Sequence, residues 1–111
     1  NISSAYSFLS KEGRSVYSST KAGLDALTRS LAVEFSKDNI LTNSVAPGFV
    51  DTELTKQNNT NAKIKQLCNK IPIKRLATPN EIAKIVFFLA SKENTYISGQ
   101  TIVVDGGFSK V

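Results

Sequence analysis

Tyr17-Ser18-Ser19-Thr20-Lys21 opens a segment that reads as helix to about Ser36, and Ile40-Leu41-Thr42-Asn43-Ser44-Val45-Ala46 follows it as a short strand closed by Pro47-Gly48. From Tyr17 onward, Leu24, Leu27, Leu31 and Phe35 recur at the steps of one helix face, and Ala22, Ala26 and Ala32 keep neighbouring positions small. Asp38-Asn39 breaks the helix. A helix that gives way to a strand within a few residues suits a βαβ crossover, and hence a parallel sheet. The apolar stripe is wide enough for one part to face a core while another faces a second helix, including one from a second subunit.

The opening of that helix also carries chemistry. Tyr17 and Lys21 stand at i and i+4, so the ammonium can sit beside the phenol on one face. A nearby cation favours phenolate over phenol, and a tyrosine so placed can act as general acid toward a carbonyl or general base toward an alcohol. On its own the pair is more often a surface contact between two common residues, and what flanks it decides.

Working outward, Asn1-Ile2-Ser3-Ser4 reads as the end of a strand running into a loop, with no initiator methionine, and the expectation is that the chain is the C-terminal part of something longer. Residues 5–16 are expected to form a loop. Phe49-Val50-Asp51-Thr52-Glu53 leaves the carboxyl end of the 40–46 strand, the edge at which open α/β sheets bind ligands. Leu54 to Lys74 is Asn- and Lys-rich and reads as a mobile flap with one short helix over about 62–70. Thr78-Pro79-Asn80-Glu81 is a helix start: Thr78 as N-cap, Pro79 in the first helical position and Glu81 closing a capping box. Ile82, Ile85, Val86 and Leu89 then mark one face of a helix to about Ser91. Gln100-Thr101-Ile102-Val103-Val104-Asp105 is a β-branched run suited to a strand buried on both faces. The order predicts an α/β fold: a single unit over 1–111 forming the C-terminal half of a doubly wound, Rossmann-like parallel sheet. About three strands are expected, near 1–4, 40–46 and 100–105, with flanking helices.

Composition narrows the function. At 111 residues with 41% hydrophobic residues the chain supports one core. The absence of histidine excludes a Ser-His-Asp triad, and with one cysteine, Cys68, no intrachain disulfide or zinc site is expected. No apolar run approaches the ~18 residues of a membrane span, so no membrane partner is expected and a reducing, cytoplasmic setting is the default. The net charge of +5 is concentrated between Lys56 and Lys84, where seven basic residues meet one acidic residue. Without interleaved aromatics or an Arg cluster, that bias reads as a solvated face or an attraction for an anionic substrate rather than a nucleic-acid surface.

Five motifs in one order carry a family resemblance. Asn1-Ile2-Ser3-Ser4, Tyr17-x-x-x-Lys21-Ala22-Gly23, Asn43-x-Val45-Ala46-Pro47-Gly48-x-Val50-x-Thr52, Pro79-x-Glu81-Ile82-Ala83 and Ser98-Gly99-x-x-Ile102-x-Val104-Asp105-Gly106-Gly107 cover nearly the whole chain. Together they resemble the C-terminal half of a short-chain dehydrogenase/reductase, nearest the 3-oxoacyl-carrier-protein reductase type. The interval from Ser4 to Tyr17 matches that between serine and tyrosine in the family. The resemblance implies an NAD(P)-dependent oxidoreductase interconverting a ketone and a secondary alcohol. It implies that Tyr17 is the acid/base, that Ser4 hydrogen-bonds the substrate carbonyl, and that Lys21 assists Tyr17 and binds the nicotinamide ribose. It further implies that Pro47 and Gly48 line the nicotinamide, with the Val50 backbone and Thr52 hydroxyl at its carboxamide. The substrate would be a small or acyl-carrier-bound carbonyl compound, the cofactor NADP or NAD, and the assembly a homodimer or homotetramer built through the 17–36 helix.

The chain departs from the family in holding no glycine-rich phosphate-binding turn, no residue that chooses between NAD and NADP, and no asparagine on a preceding helix. Asn1, on the strand, does not substitute for it. A second reading therefore stands beside the enzyme: a folded, self-associating fragment that catalyses nothing. The separate residues also have plainer roles: Ser4 as the cap of a strand, Pro47-Gly48 as a turn, Thr52 as an N-cap for the segment from Glu53.

Overall fold

The computed structural model describes all 111 residues. In chain order the elements are α1 (Ser15–Phe35), β1 (Ser44–Pro47), α2 (Glu53–Gln57), α3 (Asn61–Lys70), α4 (Pro79–Ala90) and β2 (Thr101–Val104), with a 3-10 turn at Ala5–Ser7. β1 and β2 pair in parallel, Ser44 opposite Thr101 and Pro47 opposite Val104. On the other side of β1, Ile2 makes a single parallel bridge to Val45, held by Ser3 N–H to Val45 O at 2.7 Å and Val45 N–H to Asn1 O at 3.0 Å. β1 is thus central, as a crossover topology requires.

Several expectations need correcting. The segment near 1–4 contributes one bridge rather than a strand, so the regular sheet has two strands, not three. The middle strand begins at Ser44 instead of 40, because Asn43 turns its amide to residues 97–100: Nδ2 donates to Ile97 O at 2.6 Å and Oδ1 accepts from Gln100 N–H at 3.1 Å. Those bonds hold the two strand entries side by side in place of ladder pairing. β2 is half-buried along its length rather than enclosed on both faces. The flap contains two helices where one was expected, and each begins at a threonine that the sequence displays: Thr52 Oγ1 accepts from Thr55 N–H and Thr60 Oγ1 from Lys63 N–H. The flap's ends are tied by a bridge between Val50 and Ala77 and by buried Ile71 and Leu76.

α1 begins two residues before Tyr17 because Ser15 and Val16 join its first turn, and Asn39, in the left-handed region at φ 65°, ends the short 3-10 extension behind it. Its buried face is Asp25, Thr28 and Ala32, not the leucine stripe. Leu27 and Phe35 are exposed, and Val33 is 85% exposed. The expected capping box of α4 is present: Thr78 Oγ1 accepts from Glu81 N–H, and Glu81 accepts from Thr78 N–H. On α4, Phe87 is 76% exposed. The molecule presents 7418 Å² of surface, whereas a compact 12.0 kDa protein would present about 6,000 Å². Its radius of gyration is 15.1 Å, against about 13 Å expected for this length. No helix is long and apolar enough to cross a membrane, and no group of His, Cys, Asp or Glu is arranged to hold a metal ion.

Candidate functional site

The end of the Asn1–Ser4 segment and the start of α1 are joined by two reciprocal bonds. The Lys21 ammonium donates to Ile2 O at 2.9 Å, and Ser3 Oγ donates to Lys21 O at 3.3 Å. Beyond this clamp the chain delivers Ser4, buried, as the N-cap of the 3-10 turn, its Oγ accepting from Tyr6 N–H at 3.2 Å. Ser4 thus caps a 3-10 turn rather than a strand, and the cap leaves the hydroxyl proton free to donate elsewhere. Tyr17 lies in the first turn of α1 with its side chain partly exposed. The Lys21 ammonium stands 5.8 Å from its ring centroid and the Arg14 guanidinium 5.4 Å, on the face of the ring quadrupole that attracts cations.

Opposite these residues is the loop that leaves β1. Gly48 N–H donates to Val104 O at 3.0 Å, which lays the loop against the end of β2. A side chain on residue 48 would meet Asp105 Cβ at 2.7 Å and Cα at 2.9 Å, so only glycine allows this approach. Asp105 is itself fixed, accepting from Gly107 N–H at 2.9 Å and Ser109 N–H at 2.8 Å. Burial pushes its carboxyl up, but these bonds outweigh burial and hold it below the ordinary aspartate value.

Ser4, Tyr17, Gly48 and Val50 line one cleft of ≈ 380 Å³. Val50 O accepts from Thr52 N–H at 3.0 Å and from Thr55 Oγ1 at 2.7 Å, while the neighbouring Val50 N–H finds no acceptor within the chain. Lys21, Pro47 and Thr52 stand outside the cleft wall. Pro47 ends β1, and Thr52 caps α2, which is the plainer of its two readings. With the Thr55 proton committed to Val50 O, the 3.1 Å contact between the two threonine hydroxyls makes Thr52 the donor and leaves one lone pair on its Oγ1. Arg14, Tyr6 and Phe49 also border the cleft and were missed from the sequence. Arg14 precedes Tyr17 by three residues, a helical neighbour spacing that could have revealed it. Burial pushes the Tyr6 phenol up, against the opposing pull of the Arg14 charge.

Behind the cleft, Asp25 anchors α1 to the sheet. It is 6% exposed and its Oδ1 accepts from Ser44 Oγ at 2.8 Å. Burial alone would raise its carboxyl, but the hydroxyls beside it, Ser7 and Ser44 foremost, outweigh burial and keep it below the ordinary value. Only the Ser44 contact has full hydrogen-bond geometry; the buried Ser7 hydroxyl makes no hydrogen bond.

The family model described as Enoyl-(Acyl carrier protein) reductase matches residues 1–109. A solved structure of a short chain dehydrogenase family protein from Francisella tularensis superposes on 99% of this chain and 50% of its own, with a TM-score of 0.93 and 30% identity. The chain belongs to the short-chain dehydrogenase/reductase family. Among curated short-chain dehydrogenases/reductases, the 3-oxoacyl-[acyl-carrier-protein] reductase of Chlamydia pneumoniae is 40% identical over 109 residues, which are 98% of this chain and 44% of that protein. Gluconate 5-dehydrogenase from Burkholderia cenocepacia, solved in complex with NADP and tartrate, superposes on 100% of this chain and 44% of its own with a TM-score of 0.92 and 31% identity. The chain thus spans half or less of the length of these short-chain dehydrogenases/reductases and holds part of their doubly wound fold.

Proposed function

We propose that residues 1–111 form the catalytic portion of a longer NAD(P)-dependent oxidoreductase that interconverts a ketone and a secondary alcohol. The observation that carries this reading is the shared cleft: the residues that bear a hydroxyl with a free proton (Ser4), a phenol flanked by two cations (Tyr17) and an unpaired backbone donor (Val50 N–H) line one space. In reduction, Ser4 Oγ–H donates a hydrogen bond to the substrate carbonyl oxygen and orients it, and the Tyr17 hydroxyl gives that oxygen its proton. In the reverse direction Tyr17 takes the proton from the alcohol. The clamp to Ile2 sets the distance between these two hydroxyls by tying the helix start to the segment that presents Ser4.

A nicotinamide cofactor, NADP or NAD, would supply the hydride at the carbonyl carbon. The residues that fit it are the Val50 amide, which has no acceptor of its own, and the Lys21 ammonium, which keeps two donors beyond its bond to Ile2 O. Gly48 and Pro47 would lie against the ring, with Thr52 Oγ1 offering its one remaining lone pair to the carboxamide. The phosphate-binding turn and the choice between NAD and NADP would belong to a preceding segment. The exposed apolar residues of α1, Leu27, Val33 and Phe35, support assembly of two or more copies through that helix. The substrate class that fits such a site is a small or carrier-borne carbonyl compound.

Replacement of Tyr17 by Phe in the complete protein tests the assignment. Turnover should fall about 10²-fold or more, the scale of a lost general acid, while substrate and cofactor affinity change little. A Phe variant with near-parental turnover would remove Tyr17 from the chemistry.

A further inference from the structure

Beside the cleft that holds Ser4 and Tyr17 lies a second hollow of ≈ 570 Å³, and the two share Tyr6, Lys11, Phe49 and Leu67 as a common wall. That wall is aromatic and rigid. The Phe49 ring stands edge-to-face against Tyr6 at 6.3 Å and against Phe108 at 5.0 Å, a packing that fixes three rings without filling the space in front of them.

The charged side chains bordering this joint space are all of one sign, and the one anion beside them is the α-carboxylate of Val111 at the rim of the second hollow. Lys11 borders both hollows, Arg14 and Lys63 border the first, Lys70 borders the second, and neither contains a side-chain carboxylate. The ion pairs of the chain lie elsewhere, joining Lys56 to Asp51 and Glu53 and joining Arg75 to Glu81. Glu12, next to Lys11 in sequence, lines neither hollow. Four unpaired cations around one concave, partly apolar space repel one another and hold a positive potential that the low-dielectric wall concentrates.

We propose that this chain's substrate is an anionic amphiphile: a ketone or secondary alcohol with an apolar segment and a carboxylate or phosphate at its far end. The reacting carbon sits at Tyr17, the apolar segment runs along Phe49 and Phe108, and the anion rests between Lys11 and Lys70. Apolar contact supplies most of the affinity, and the cations supply the discrimination against uncharged analogues. This assignment rests on the reading of the Tyr17 cleft as the reaction site.

Equilibrium binding to the full chain tests it, using matched probes below their micellar concentrations: 9-oxodecanoate against its methyl ester, and decyl phosphate against decanol. At least one anion should bind about five- to tenfold more tightly than its uncharged partner, the scale of one or two partly exposed ion pairs. The larger preference names the head group. The preference should shrink in 1 M salt, where screening acts over about 3 Å, and should vanish in K11Q/K70Q while ester binding persists. Equal binding within both pairs, or a preference that survives K11Q/K70Q, overturns the proposal. Neither measurement involves turnover, and the preference should persist in Tyr17→Phe, so a failure here is distinct from a failure of the proton-transfer reading.

Discussion

Replacing Gly48 by Ala introduces a single carbon at the junction between the sheet and the loop that leaves β1, and the structure sets its cost. The new Cβ would stand 2.7 Å from Asp105 Cβ and 2.9 Å from Asp105 Cα, with the Asp105 carbonyl oxygen at 3.4 Å. Ordinary carbon contacts begin near 3.5 Å, so one side must yield by more than half an ångström. Asp105 is pinned by its carboxylate to Gly107 N–H and Ser109 N–H, and residue 48 by its own N–H to Val104 O. Neither can move without loss of a hydrogen bond, which puts the cost at about 1–3 kcal/mol, the range for overpacking a filled site. For a chain of this length that corresponds to a fall in melting temperature of about 5–20 °C, read by circular dichroism or calorimetry. Gly23→Ala is the internal control. It lies within α1 with nothing within 4 Å of its added Cβ, so the higher helix propensity of alanine should stabilise it by about 0.5–1 kcal/mol. If Gly48→Ala melts with the parent, the close approach at Asp105 is not the constraint on this loop.

Asp25→Asn should be less stable than the parent at neutral pH, because the neutral amide is a weaker acceptor than a carboxylate for Ser44 Oγ and brings two N–H donors into a buried position. Because the folded carboxyl is held below its unfolded value, its contribution is complete above the ordinary aspartate pKa of about 3.9 and is lost as pH falls through the folded value. The gap between variant and parent should therefore narrow in acid, and a gap independent of pH in denaturant titrations would refute the assignment. In light scattering the 111-residue chain should run as a dimer or larger, since its surface exceeds the compact expectation and Val33 and Phe87 stand exposed on α1 and α4; a monodisperse monomer defeats this. The same chain should bind NADH and NADPH only weakly, because its glycines form no phosphate-binding turn. A micromolar dissociation constant by calorimetry would show that this portion holds more of the cofactor than its sequence contains.

The elements with local signals were legible. The capping box at Thr78 and Glu81 and the β-branched run ending at Val104 appeared where their residue types demanded. The strand over 40–46 was cut to 44–47 because the decisive interaction of Asn43 is with residues 97–100, far along the chain, and periodicity carries no information about such partners. The α1 face was misread for a related reason. Leucine spacing marks what a helix can bury, but the sheet in this chain covers the narrower strip of Asp25, Thr28 and Ala32, and two of those three are polar. A buried carboxylate among serines is visible only once the strands that carry the serines are in place.

The site divides along the same line. Tyr17 and Lys21 could be paired from the sequence because four residues on a helix give a contact by geometry alone. The structure alters the meaning of that pair, since the ammonium is committed to Ile2 O and lies 5.8 Å from the ring centroid, with Arg14 nearer at 5.4 Å. Lys21 therefore does mechanical work as well: with the Ser3 Oγ bond to Lys21 O, it fastens the helix start to the segment that ends in Ser4. That segment is attached to the sheet by the Ile2 bridge and by the Asn1 amino group, which donates to Asn43 O at 2.9 Å, while Asn1 Nδ2 donates to Thr28 Oγ1 of α1 at 2.8 Å. The separation of the two hydroxyls thus depends on the lysine clamp and on these few bonds, at the sheet edge where a further strand would pair. A strand on that edge would stiffen the clamp and set Ser4 relative to Tyr17, so completing the sheet and aligning the two hydroxyls are a single structural event.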